Sequence, residues 1–315
     1  MTKPAKLDEE HHRRLCRTAI QIRRWVVESV HHAGAGHLGG PMSATELLTA
    51  LYFEVMNIDP DEPNDPSRDR FILSKGHSSI GLYATLAARG YFPAEELKTF
   101  DAVDSRLQGH PDMSVLPGID MSTGSLGQGL SPGLGMALAA RLQGRDYHTW
   151  VMLGDGDSQE GQIWESLQQA ANMGLHEVTA IIDHNKIQSD TWVAEVSDLG
   201  DLEKKFSAFG WHVQRCDGHD HSQISSALDN ARRATDRPSV IIADTLKGKG
   251  VSFMEGSAMP PDDQMYHFHS GAPDVEQYSA AHSELLEEAN RQIRELGEEP
   301  LVLETVAREP SRPRS

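Results

Sequence analysis

Asp155 and Asn185 are spaced and flanked in a way that suits a hard cation. Trp150-Val151-Met152-Leu153 is a short apolar run that ends in Gly154-Asp155-Gly156. Such a run closing in a tight glycine turn reads as a buried parallel strand. Val178-Thr179-Ala180-Ile181-Ile182-Asp183 is a second run, and it stops just before His184-Asn185. Gln162 to Met173, lying between them, suits a helix. The unit is therefore a strand–helix–strand crossover with an oxygen ligand beyond each strand. In open parallel sheets, ligands bind outside the carboxyl ends of the strands. A carboxylate and an amide oxygen placed there favour Mg²⁺, with Ca²⁺ or Mn²⁺ as substitutes. Mg²⁺ keeps few protein ligands and completes its shell with water and phosphate oxygens. The spacing thus predicts a diphosphate cofactor held with its ion. Three histidines, His37, His77 and His110, each follow a glycine. A flexible backbone at that point lets an imidazole approach a ligand closely. Taken singly, each is equally an ordinary loop or helix-start residue.

The elements that must position these groups are legible as periodicities. Leu7 to His32 repeats as a helix with Leu15, Ile22, Trp25, Val26 and Val30 near one face. His11, His12 and His31 are read as solvated residues of it. The glycine-rich run Gly34 to Pro41 breaks it. Ser43 then stands as candidate N-cap of a helix from Ala44 to Val55, with Glu46 in the capping-box place. Asn57 to Arg70 reads as a surface loop, Arg70 to Ser74 as a short strand and Ser78 to Arg89 as a helix. Leu107 to Gly129 is rich in Gly, Pro and Ser and reads as a long loop before a helix from Ser131 to Gln143. Gly210 to Arg215 and Ser239 to Asp244 are further strands, with a helix at His221 to Ala234 between them. Leu285 to Leu296 forms a late helix, and Pro310 to Ser315 a frayed tail. Alternation of strands and helices predicts an α/β fold, a doubly wound and mainly parallel sheet flanked by helices. The whole chain, 1–315, reads as a single domain. Its core covers about 8–255, and 256–315 forms a C-terminal extension and tail.

Composition narrows the partners. The chain has 315 residues, 24% charged, 38% hydrophobic, with a formal net charge of −18. Such an acidic balance argues against nucleic acid or an anionic membrane. It offers no general attraction for phosphate, which local groups must hold. Cys16 and Cys216 form no metal or redox motif, and two sparse thiols fit a reducing compartment. No apolar leader or membrane-length run is present, so the expected location is cytoplasmic. Gly127 to Gly133 superficially suggests a dinucleotide fingerprint. Its third glycine falls one place late, no strand leads in, and Pro132 interrupts it.

Gly154-Asp155-Gly156 followed by Asn185 resembles the thiamine diphosphate signature. Further segments resemble the transketolase family, in that family's order. They are Ala35-Gly36-His37, Ser74-Lys75-Gly76-His77, Gly109-His110-Pro111, Thr123 to Gly129, Gln159-Glu160-Gly161, Asn185-Lys186-Ile187-Gln188 and Lys247-Gly248-Lys249-Gly250. The resemblance spans roughly residues 10–255. It implies a thiamine diphosphate-binding domain of the diphosphate-holding type. It implies that Asp155 and Asn185 bind the metal through side chains and Ile187 through its carbonyl. Gly156 approaches the diphosphate, His77 contacts it, and Gly124 and Leu126 line the cofactor pocket. His37 and His110 face substrate, where ketol transfer moves protons at hydroxyl and carbonyl oxygens. Imidazole suits such transfers near neutral pH. Glu160 on its own reads as a first-turn carboxylate favoured by the helix dipole. The resemblance places it at a dimer interface, beside the glutamate that activates the cofactor. A late histidine that helps bind the diphosphate is matched by His269 in preference to His267, although Glu255 to Met265 departs from the family pattern.

Longer members of that family also carry a pyrimidine-binding and a C-terminal domain, and this sequence resembles neither. The resemblance therefore implies a split enzyme. On that resemblance, this chain is expected to be the N-terminal subunit of a transketolase, with a second chain supplying the remaining domains and the activating glutamate. Two copies of each chain would make a heterotetramer. The expected reaction moves a two-carbon ketol unit from a ketose, expected to be phosphorylated, to an aldose. An α-keto acid donor such as pyruvate, with decarboxylation, is the alternative within thiamine enzymes. Thr191 stands where central-metabolism members carry Gly, which points to a specialised pathway. A non-catalytic scaffold would be expected to have lost the metal ligands, and Asp155 and Asn185 are intact.

Overall fold

Five apolar runs become the strands of one sheet: β1 (Arg70–Leu73), β2 (Thr149–Gly154), β3 (Val178–His184), β6 (His212–Asp217) and β7 (Ser239–Asp244). β4 (Ile187–Gln188) and β5 (Thr191–Trp192) pair separately as a small antiparallel hairpin. The structure is a computed structural model and describes residues 9–259 and 265–295. The sheet order is β1-β2-β3-β7-β6, and every pairing in it is parallel. All five carboxyl ends therefore open on the same edge.

Side chains alternate across the sheet, and the core divides accordingly. Phe71, Leu73, Trp150, Met152, Ile181 and Ile241 point into one layer. Ile72, Val151, Leu153, Ala180, Ile182 and Ile242 point into the other. Both faces are covered, which explains why these strands read as continuous apolar runs rather than alternating ones. The expected doubly wound architecture is the observed one.

The helices, in chain order, begin with α1 (Glu9–Ala33), α2 (Gly39–Ser43), α3 (Thr45–Ala50) and α4 (Ser79–Arg89). α5 (Leu130–Gln143), α6 (Gly161–Met173), α7 (Val193–Ser197) and α8 (Leu202–Ala208) follow, then α9 (His221–Arg233) and α10 (Val275–Glu295). α1, α3, α4, α9 and α10 cover the first face, and α5, α6 and α8 the second. α4, α5 and α6 each stop at a glycine in left-handed backbone, Gly90, Gly144 and Gly174.

Several expectations are corrected. Ser43 caps no helix, since it closes α2 and its hydroxyl donates to Gly40 O and to Asp183 Oδ2 at 2.6 Å. Glu46 serves no capping box and instead grips Arg23, with Arg23 Nη2 at 2.6 Å from Oε2. The expected helix from Ala44 to Val55 is observed as α3, Thr45–Ala50, running on into a π-helical turn, Leu51–Val55. The late helix starts at Val275, ten residues before its expected start, and packs Ala281 and Leu285 into the first core layer. His31 and His12 are not simply solvated. His31 stacks on Tyr278 at 4.2 Å, and His12 meets the His221 ring at 6.0 Å. The expected tail, Pro310 to Ser315, lies outside the described residues.

Candidate active site

Four strand ends and three loops meet at the carboxyl edge. β1 delivers Ser74 to His77, β2 delivers Gly154 to Asp157, β3 delivers Asn185 to Ile187, and β7 delivers Thr245 to Gly250. The Gly36–Gly40 loop is stitched to the 268–271 segment. Gly39 N donates to Phe268 O at 2.9 Å, Gly271 N donates to Gly36 O at 2.9 Å, and His37 bridges Ser270. That stitch brings His269 beside His37, with ring centroids 5.2 Å apart. His77 lies 5.2 Å from His37 and 5.5 Å from His269. The three rings line one cavity of about 320 Å³ together with Leu126, Asp155, Gly156, Glu160, Asn185 and Ile187. His267 is exposed and outside that lining.

His110 opens onto a neighbouring cleft, its ring 6.4 Å from His37. Gly124 makes that approach possible. Its φ is +153°, and a Cβ there would stand 2.8 Å from His110 Cδ2. Glu160 is exposed at the start of α6, in extended backbone, with no capping bond from its side chain.

Asp155 is 2% exposed. Its Oδ2 accepts from Lys186 N at 2.7 Å, and its Oδ1 lies 2.5 Å from His184 Nδ1. Asn185 turns its amide nitrogen inward, to Asp183 Oδ2 at 3.2 Å and Ser43 Oγ at 3.4 Å. Its oxygen accepts from Ile187 N at 3.1 Å. Lys186 between them has φ +69°, a left-handed turn that a non-glycine residue adopts only under constraint.

Two lysines at this edge stand inside the quoted motifs without a role assigned to them in the sequence. Lys75 forms a buried pair with Asp183 and also donates to Gly40 O at 3.0 Å. Lys247 donates to Ile187 O at 3.2 Å and Ser189 O at 2.8 Å. Burial, and then the charge of Lys75, pull the Lys247 ammonium down to about 7. Burial likewise lowers His77 to about 2 and His269 to about 3, and it lowers His37; neighbouring cations and imidazoles add to each effect. Asp183 is fully buried, which opposes ionisation, but Lys75 and the donors from Ser43 and Thr245 hold it below its usual range. Asp157, 1% exposed, accepts from Gly127 N at 2.7 Å, Gly154 N at 3.0 Å and Ser74 Oγ at 3.0 Å. It joins the Leu126 loop to the ends of β1 and β2. The signal for Asp183 and Asp157 was in the sequence as acids closing or following apolar runs, where an isolated charge is costly.

Cations and donors that depress one another across a shared cavity favour an anion there. The profile of the transketolase thiamine diphosphate-binding domain matches residues 15–261. A 6-deoxy-6-sulfo-D-fructose transketolase subunit from a Clostridium species is 48% identical over 75% of this chain and 86% of its own length. The chain belongs to the transketolase family. An apulose-4-phosphate transketolase subunit from Phocaeicola vulgatus is 41% identical, over 84% of this chain and 91% of that protein. The transketolase structures from Campylobacter jejuni and Leishmania mexicana superpose with TM-scores of 0.76 each, at 29% and 27% identity. They cover 91% and 90% of this chain, which spans only 43% and 45% of theirs. The chain is thus a transketolase-type transferase subunit built on a thiamine diphosphate-binding domain, as its motifs led us to expect. No described helix is long and apolar enough to cross a membrane.

Proposed function

We propose that this chain is the half of a two-chain transketolase that holds the diphosphate end of thiamine diphosphate and its Mg²⁺. A second chain supplies the pyrimidine-binding domain and the activating glutamate, two copies of each chain assemble, and the complex works in the cytoplasm. The observation that carries the site reading is the shared cavity in which Asp155, Asn185 and Ile187 face His37, His77, His269 and two lysines. The donor set fits the ion: one carboxylate, one amide oxygen and one carbonyl, all hard oxygens. Among the described residues no group of three or more His, Cys, Asp or Glu side chains is set to hold a metal alone. Phosphate oxygens would complete the shell, which ties ion and cofactor together.

When bound, thiamine diphosphate supplies the carbon centre that carries the two-carbon unit. This chain's residues do the rest on their side of the site. Asp155, Asn185 and the Ile187 carbonyl would hold the ion. Gly156 gives the diphosphate a close backbone approach. His77 and His269 would donate to its oxygens, and anionic charge there would oppose the depression of their basicity. Leu126, 38% exposed at the cavity wall, and Gly124 shape the cofactor's seat. His37 and His110 orient sugar hydroxyls and move protons at the reacting oxygens. Glu160 faces the partner copy. The two relatives named above are a sulfosugar and a sugar-phosphate transketolase subunit. The substrate class proposed here is therefore a ketose with a terminal anionic group.

Titration calorimetry of the full chain with thiamine diphosphate and Mg²⁺ tests the reading. The wild type should bind thiamine diphosphate only when Mg²⁺ is present, and Asp155→Ala should abolish that metal-dependent binding. Unchanged affinity in Asp155→Ala would refute the site.

A further inference from the structure

Behind the cavity a buried chain of side chains ends on the turn that carries Lys247. Arg23 of α1 and Glu46 of α3 are 5% and 7% exposed. Arg23 Nη2 donates to Glu46 Oε2 at 2.6 Å and to Met42 O at 3.0 Å. His219, on the turn before α9, places Nδ1 at 2.9 Å from the same Glu46 Oε2. Its other nitrogen, Nε2, accepts from Leu246 N at 2.8 Å. A backbone N–H can only donate, so Nε2 carries no proton. Nδ1 is then the protonated nitrogen and donates to the carboxylate. Thr245, Gly248 and Lys249 donate their N–H groups to backbone oxygens, whereas Leu246 donates to this side chain. The next residue, Lys247, reaches Ile187 O and Ser189 O from the turn so fixed.

We propose that His219, locked in its Nδ1–H form by Glu46 and Arg23, is a positioning residue that holds the Leu246–Lys247 turn so that the Lys247 ammonium stands at the anion cavity. The inference rests on the reading of that cavity as the cofactor's diphosphate seat. His219 touches neither cofactor nor substrate. It acts through one backbone hydrogen bond, whose loss lets the turn and its ammonium shift.

Two variants separate the two ring nitrogens. His219→Asn keeps a donor near Nδ1 for Glu46 but offers Leu246 no acceptor. His219→Gln reaches the Nε2 position with an oxygen that accepts from Leu246. The expected result is a cofactor affinity, with Mg²⁺, about tenfold weaker in His219→Asn, the scale of one lost hydrogen bond. His219→Gln should restore affinity to within about threefold of wild type. Nitrogen-15 spectra of the unliganded full chain should show His219 as the neutral Nδ1–H tautomer. A spectrum of the Nε2–H form overturns the proposal without reference to any cofactor. So does wild-type affinity in His219→Asn, or equal loss in both variants. If the wild-type chain binds no cofactor, the functional reading falls and takes this role with it; a wild type that binds beside an unimpaired His219→Asn sinks this role alone.

Discussion

At the scale of single residues, the carboxylate of Asp183 sets the geometry of its neighbours without facing ligand. It receives Lys75, Ser43, Thr245 and Asn185, residues brought by β1, α2, β7 and β3. That bond holds the Asn185 amide nitrogen on Asp183, and the oxygen, which accepts from Ile187 N, is the atom the proposed ion would use. Replacing Asp183 with Asn removes the charge that neutralises a lysine 2% exposed. Breaking a buried pair from one side costs about 3–5 kcal/mol. Urea unfolding should show a loss of that size in Asp183→Asn; a change under about 1 kcal/mol would contradict the role. The sequence showed the candidate ligands more clearly than this support. Asp155 and Asn185 sit at the ends of apolar runs with turn residues around them. Asp183 is simply the next-to-last residue of β3, and only the folded sheet shows which three other elements point at it.

At the scale of elements, the parallel strands were legible because burial on both faces makes each one a continuous apolar run. The two-residue strands of the β4–β5 hairpin are too short to carry any period, and α8 was missed beside them. Ser43 and Glu46 have capping-box spacing, yet Arg23 and His219 draw Glu46 away across the fold, an influence no local pattern records. The loop after β7 shows how tightly such connections are specified. Gly248 has φ +78°, and a Cβ there would come within 1.9 Å of Met254 O, a backbone atom that cannot step aside. Gly248→Ala should therefore displace the Lys247 turn. We expect a stability loss of about 2 kcal/mol or more and at least about tenfold weaker cofactor binding, read by melting and calorimetry. Wild-type behaviour in both would show that the loop relaxes freely.

The molecule as a whole has a charge of −18, yet its interior cavity is lined by lysines and imidazoles. Composition offers no general attraction for phosphate while the motifs call for one in particular, and the resolution is local. Acid should weaken the fold before its carboxylates titrate. Burial lowers His148 to about 3 and His221 to about 4. In the unfolded chain both take a proton near about pH 6.5. Below that pH the unfolded state binds more protons, so stability falls as pH falls, by about 1.4 kcal/mol per unit for each such histidine. The window runs from about 6.5 down to about 4 for His221 and about 3 for His148. Urea midpoints should drop steadily between about pH 7 and pH 5; a flat profile would count against these burials. The two-chain proposal places activity in the assembly. The purified chain with Mg²⁺ and thiamine diphosphate should transfer no measurable ketol unit until a chain resembling the rest of transketolase is added, and robust transfer by the chain alone would overturn the two-chain proposal. The stitch between the Gly36–Gly40 loop and residues 268–271 also bears on how the protein is made. The Gly36–Gly40 loop is translated early, but its partners Phe268, His269 and Ser270 emerge only after every strand of the sheet. On the proposed site reading, a nascent chain stalled short of them would hold Asp155 and Asn185 without His269, so cofactor capture would be a late event of synthesis rather than a nucleus for folding.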